Sequence, residues 1–161
     1  MCGKVKRLKT IQWYYSKKID ISFTQETHSC AENEQKWRDE WDGTIHFSHG
    51  ESNARGTCIF IRSYIQNEVH KEILDQNGRY VILDITIDNI RMTLASIYAP
   101  NDDSPEFITE VRDHIESIPN DNRLIGGDYN LVLDLILDKK GGRNTTHVKS
   151  QLKLKRLDGE H

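Results

Sequence analysis

The sequence predicts a layered α/β or α+β fold whose working side chains stand at strand ends, and three observations predict it. Stretches with apolar residues at three- and four-residue steps, the helical period, are interspersed with short β-rich runs. One pair of these runs is joined by a two-residue turn, which makes a definite antiparallel hairpin. Three polar motifs sit where buried strands break, the place at which layered sheet proteins carry their chemistry.

Taken in order, residues 4–18 place Leu8, Ile11, Tyr15 and then Ile19 on one helical stripe with lysines and an arginine between them. They predict an amphipathic helix. Residues 19–25 follow, with Ile19, Ile21 and Phe23 alternating with polar neighbours as in a strand. A second helix is expected over 31–40, and Gly43 separates it from a short strand at 44–47. Residues 48–53 read as a loop, and the apolar run 56–61 as a strand. The hairpin comes next: 79–87 and 90–97, joined by Asp88 and Asn89, which tolerate the left-handed backbone of a tight turn.

Ser104, Pro105 and Glu106 supply a cap, a first-position proline and a first-turn acid for a helix carrying Ile108, Val111, Ile115 and Ile118 on one face. That helix should end near Pro119. Residues 123–128 form a short buried strand that breaks at glycine. The chain then turns polar through Lys139, Lys140, Gly141 and Gly142, and a last helix is expected over 146–157. No internal repeat or linker divides the 161 residues, so a single domain is expected.

A hydrophobic fraction of 36% and a mean hydropathy of −0.69 suit a folded domain with a thin core, or part of a larger one. The net charge of −3 and pI near 6.2 provide no long-range positive field to announce a nucleic-acid partner. A local basic patch remains compatible with that balance, and catalytic carboxylates themselves add negative charge. Cys2, Cys30 and Cys58 are odd in number and lack C-x-x-C spacing, which argues against a disulfide framework or a zinc knuckle. With no secretory leader and no apolar run near 18 residues, a nuclear or cytoplasmic protein without a membrane partner is expected.

The three strand-end motifs are Gln25-Glu26-Thr27-His28, Ile97-Tyr98-Ala99-Pro100-Asn101 and Gly126-Gly127-Asp128-Tyr129-Asn130. Glu26 emerges from a hydrophobic strand at the edge of the core, where a carboxylate meets a hard cation such as Mg²⁺. A surface acid capping the next helix is the alternative. Asp128 and Asn130 are two residues apart and point to one side if the chain stays extended. The aspartate is suited to orient or deprotonate a water, and the asparagine amide to donate to a phosphoryl oxygen. A purely structural Gly-Gly-Asp turn is the competing reading. For Tyr98, position alone favours packing, with a phosphate contact as the alternative. His28, His46, His49 and His147 show no metal spacing and read as solvated or locally bonded.

Together and in this order, the three motifs resemble the endonuclease/exonuclease/phosphatase superfamily, the DNase I-like fold. The resemblance is strongest to the endonuclease domain of non-LTR (LINE-type) retrotransposons. It extends to Phe47-Ser48-His49-Gly50 running into Arg55-Gly56, and to Leu137-Asp138-Lys139-Lys140-Gly141-Gly142. The resemblance implies a partial four-layer α/β sandwich, two mixed sheets flanked by helices, with the active site at one rim. It further implies Mg²⁺-assisted hydrolysis of a DNA phosphodiester, with Mn²⁺ as the alternative cation, and a downstream reverse transcriptase in the complete element. By the same likeness Glu26 matches the metal-binding glutamate and Tyr98 the phosphate-side tyrosine. Asp128 matches the water-positioning aspartate, and Asn130 the asparagine on the scissile phosphate.

Family members begin with a strand that carries an asparagine near the metal, and they end with a Ser-Asp-His-type segment. Here Met1, Cys2 and Gly3 lead almost directly into the first helix, and no such segment follows Asp138. His161 is not assigned the terminal histidine's role. A domain incomplete at both ends is therefore expected, with strands missing from the centre of at least one sheet, a marginal fold, and weak or absent activity. Competing functions are a phosphatase or abasic-site repair nuclease of the same fold, a non-catalytic DNA-binding or interaction remnant, and a translated fossil.

Overall fold

Period-two side-chain alternation in strands that are buried on both faces creates the layers. In the computed structural model, which describes residues 3–51, 54–102, 104–129 and 155–157, the elements are α1 (Lys4–Ser16), β1 (Ile21–Gln25), α2 (Glu34–Glu40), β2 (Gly43–Ser48), β3 (Thr57–Arg62), β4 (Asn67–Leu74), β5 (Tyr80–Ile87), β6 (Ile90–Tyr98), α3 (Pro105–Ser117), β7 (Arg123–Asp128) and β8 (Lys155–Leu157). The first sheet has the order β1-β3-β2 and is wholly antiparallel. The second has the order β4-β5-β6-β7-β8 and is mixed, β6 and β7 running parallel on either side of the α3 crossover.

Along β3, Cys58 and Phe60 face α1 and α2, where they pack with Ile11, Tyr14, Trp37, Trp41, Ile45 and Phe47. Ile59 and Ile61 face the other way, into a layer with Val81, Leu83, Ile85, Ile87 and Leu94 of the second sheet. On the far side of that sheet Tyr80, Ile82, Ala95 and Ile97 meet Ile108, Val111, Ile115 and Ile118 of α3 and its end. Helices, sheet, sheet and helix form four layers. The architecture is the α/β sandwich expected from the sequence, with the difference that only one of the two sheets is mixed.

Most elements fall where the sequence placed them, and the differences have physical causes. Asp88 and Asn89 adopt φ of +49° and +65°, the left-handed pair of a type I′ turn whose twist matches the hairpin's strands. Ser104 stands at the N-cap of α3 but makes no side-chain cap bond, so Pro105 at the first position and the acid Glu106 mark that start. β1 begins only at Ile21, because Ile19 is drawn into the helix-side cluster, its N–H bonded to the Tyr14 carbonyl at 3.0 Å. Arg7 is buried within α1, its guanidinium over the Trp37 ring and bonded to Glu40 at 2.5 and 2.8 Å.

β4 has no apolar face for a pattern search to find. It is an exposed edge strand, interrupted by a bulge between Val69 and Lys71 that discourages pairing with other chains. The expected last helix is corrected at its end: residues 155–157 are a strand antiparallel to β7, which takes up ladder groups of Arg123, Leu124 and Ile125. Among the described residues β3, β5, β6 and β7 are each paired on both sides, and β1, β2, β4 and β8 are the edges of the two sheets.

Candidate active site at the sandwich rim

Strand parity selects what reaches the rim of the gap between the sheets. Ile21 and Phe23 of β1, Leu94 of β6 and Leu124 of β7 all pack in the inter-sheet layer. Two residues on, Gln25 donates to the Ser96 hydroxyl across the gap at 2.9 Å, tying the sheets together at their edge. One step further, the same parity places Tyr98 and Asp128 on this side of their strands. They are register partners, and the Asp128 carbonyl accepts from the Ala99 N–H at 2.8 Å.

Glu26 reaches the same place by a different device. Its φ of +53° turns the chain sharply as β1 ends, a conformation that costs a non-glycine residue about 1 kcal/mol. The surroundings impose it: the Thr27 N–H donates to the Gly56 carbonyl at 3.1 Å and the His28 N–H to the Arg55 carbonyl at 2.8 Å. Gly56 itself has φ +97°, and a Cβ there would lie 2.4 Å from the Thr27 hydroxyl oxygen. The backbone of the Arg55-Gly56 pair therefore clamps the loop that presents Glu26.

At the rim, the Tyr98 hydroxyl donates to Glu26 Oε1 at 2.9 Å. Burial, the bond to Glu26 and the nearby negative charges of Glu26 and Asp128 hold the phenol above its usual range, while Arg79 pulls the other way. Tyr98 thus remains a protonated donor beyond neutral pH. The phenol links the end of β1 in one sheet, through Glu26, to the strand end in the other where Asp128 is the register partner of Tyr98. Arg79, which the sequence reading did not single out, lies with its guanidinium carbon 5.2 Å from the Tyr98 ring centre.

Glu26, Tyr98 and Asp128 are therefore brought together. Asn130, residues 137–142, His147 and His161 lie outside the described residues. Gly127, with φ +146°, lets β7 pass so close to β6 that a Cβ would sit 1.8 Å from the Ile97 carbonyl oxygen. Tyr129 packs against the α3-side cluster, and burial raises its phenol. His46 pairs with Glu72, and His49 bonds the buried Ser29 hydroxyl at 2.9 Å, its basicity lowered by burial. Both histidines are locally bonded. Among the described residues no group of three or more His, Cys, Asp or Glu side chains is arranged to hold a metal, and no helix is long and apolar enough to cross a membrane.

No family model matches the sequence. Over 118 residues, 71% of this chain, it is 33% identical to the transposon TX1 uncharacterized 149 kDa protein of Xenopus laevis, of which that stretch is 9%. The fold is similar to the endonuclease/exonuclease/phosphatase from Bacteroides vulgatus, with TM-score 0.63 and 12% identity over 78% of this chain and 57% of that one. It is likewise similar to the endonuclease domain of TRAS1, a telomere-specific non-LTR retrotransposon, with TM-score 0.59 and 16% identity over 80% of this chain and 56% of that one. The chain thus spans a small part of its transposon relative and somewhat over half of these structures. On the layer order, the rim motifs and these likenesses, the chain has the endonuclease/exonuclease/phosphatase, DNase I-like fold, and it is related in sequence to a transposon protein.

Proposed function

We propose that the rim is the site of divalent-metal-dependent phosphodiester hydrolysis on DNA, of the retrotransposon-endonuclease type. The observation that carries this reading is the bond from the Tyr98 hydroxyl to Glu26, at the strand end where Asp128 is the register partner of Tyr98. The donor set fits Mg²⁺ or Mn²⁺: hard anionic oxygen at a solvent-facing rim suits a cation that takes one or two carboxylates and keeps its waters. Glu26 would hold it, and when bound it would supply Lewis-acid stabilisation of phosphoryl charge.

Asp128 would orient an attacking water and accept its proton. Tyr98, kept protonated, is suited to donate to a phosphoryl oxygen as charge develops there once Glu26 no longer takes its hydrogen bond. Asn130 would add an amide donor on the same phosphate. Arg79 offsets part of the negative charge that two carboxylates present to an incoming phosphate.

Nicking of supercoiled plasmid with Mg²⁺ or Mn²⁺ tests the reading. Slow conversion to open circles that is lost in Glu26→Ala and in chelator supports it; conversion indifferent to Glu26, or none with either cation, overturns it. A parallel panel of abasic-site duplex and inositol phosphates separates this activity from repair and phosphatase activities of the same fold.

A further inference from the structure

Charge is unevenly spread along the chain. Residues 1–19 hold six of its 22 lysines and arginines and none of its 25 aspartates and glutamates, although the whole chain is net acidic. Arg7 is paired with Glu40. On the outer side of α1, Lys6, Lys9, Trp13 and the C-cap residue Lys17 follow one another at steps of three and four, a single stripe about 16 Å long. All four are exposed, and among the described residues none of the three lysines has an ion-pair partner.

Trp13 is the unusual member of that stripe. Ile11 and Tyr14 of the same helix are buried against the first sheet, whereas Trp13 is 54% exposed; the other two tryptophans, Trp37 and Trp41, are 2% and 4% exposed. Its indole meets the Tyr14 ring edge-on, 5.8 Å between centroids. The core contacts of α1 lie on the opposite side, so packing within the chain does not account for the indole. A lone exposed apolar residue is ordinary. One set in a row of unpaired lysines combines a flat stacking face with positive charge on both sides.

That combination selects a partner. Lysines in a row meet a row of negative charges, and an exposed indole is a face on which an unpaired base stacks. A lipid surface fits less well, because an interfacial helix inserts a whole apolar face. Here that face is sealed against the first sheet, leaving Val5 and Trp13 as the exposed large apolar side chains of α1. A duplex also fits less well, since its bases are already stacked on one another.

We propose that the outer face of α1 binds single-stranded nucleic acid, with Lys6, Lys9 and Lys17 taking backbone phosphates and Trp13 stacking on an unpaired base. This surface belongs to the helix layer over the first sheet and shares no residue with the rim, so it stands apart from the phosphodiesterase reading.

The test titrates the full chain in EDTA with short oligo(dT) and oligo(rU). Trp13 emission is the direct readout, because Trp37 and Trp41 are shielded. Saturating oligonucleotide should quench the exposed tryptophan, and Trp13→Phe should abolish that quenching. By anisotropy of a labelled oligonucleotide, Trp13→Ala should weaken binding about tenfold with an unchanged salt slope, and Trp13→Phe should recover most of the loss. The double substitution Lys9→Gln and Lys17→Gln should lower the slope of log K against log salt by about 1.4, the share of two phosphate contacts on a single strand. Thermal melts matching the parent chain confirm that these surface variants are folded.

Binding left unchanged by Trp13→Ala and by the lysine pair overturns the proposal. So does binding without quenching, which would put the strand elsewhere on the chain. Tighter binding of phosphatidylserine vesicles or of polyglutamate in the same assay overturns the choice of nucleic acid, in favour of a lipid surface or an acidic protein. Quenching by only one of the two oligonucleotides supports the proposal and names the sugar that fits. A chain that shows these effects yet never nicks plasmid overturns the rim reading alone.

Discussion

Tyr98 concentrates the chemistry of the rim in one hydroxyl, and its raised pKa has a direct consequence for pH dependence. Because the phenol stays protonated through the neutral and mildly alkaline range, the nicking rate should show no loss attributable to Tyr98 as pH rises to about 9. Tyr98→Phe should slow turnover by about 10²-fold with little change in DNA affinity, read from kcat and KM separately. Gly127→Ala makes a different demand, since the new methyl meets the Ile97 carbonyl and no side chain can move to relieve it. We expect a loss of about 3 kcal/mol in denaturant unfolding, together with displacement of Asp128. These residues were legible in the sequence as types in motifs, because a carboxylate or paired glycines at a strand break is a local pattern. Arg79 was not, because its stacking on Tyr98 depends on a contact between residues 19 positions apart.

Among the elements, the hairpin and α3 were the most legible, since each announces itself through local rules: turn residues that accept positive φ, and a proline-led apolar stripe. β4 was invisible for the opposite reason, having exposed side chains on both faces and a strand identity conferred by pairing with β5. The hairpin turn can be tested directly. Asn89→Gly should leave stability equal or slightly raised, whereas Asn89→Val, β-branched at φ +65°, should cost about 1–2 kcal/mol by chemical denaturation. The junction of α1 and α2 rests on the buried Arg7, an ion-pair partner that helical periodicity could not separate from the solvated lysines around it. Arg7→Ala should cost about 2 kcal/mol, since it removes both the aliphatic packing against Trp37 and the partner of Glu40.

For the whole molecule, acid is the informative stress. Asp84 is buried in the second sheet and its carboxyl is held below the usual range, chiefly by the two hydrogen bonds from Arg91 at 3.0 and 2.7 Å. A depressed carboxylate adds stability that is complete above the unfolded value, about 4, and is lost as pH falls through the lower folded value. The Tm should therefore drop below pH 4, and Asp84→Asn should have a lower Tm at neutral pH with a shallower fall in acid. Chain order has a further consequence for the molecule as a whole. Among the described residues, every strand of the first sheet comes from residues 21–62, and every strand of the second follows from residue 67 onward. One short crossing, residues 63–66, thus carries the chain from the sheet that leads to Glu26 to the one bearing Tyr98 and Asp128. Cut there, the protein becomes a two-piece lock: activity would be absent from each piece and restored only when the pieces reassociate, and its return on mixing would report docking of the two sheets.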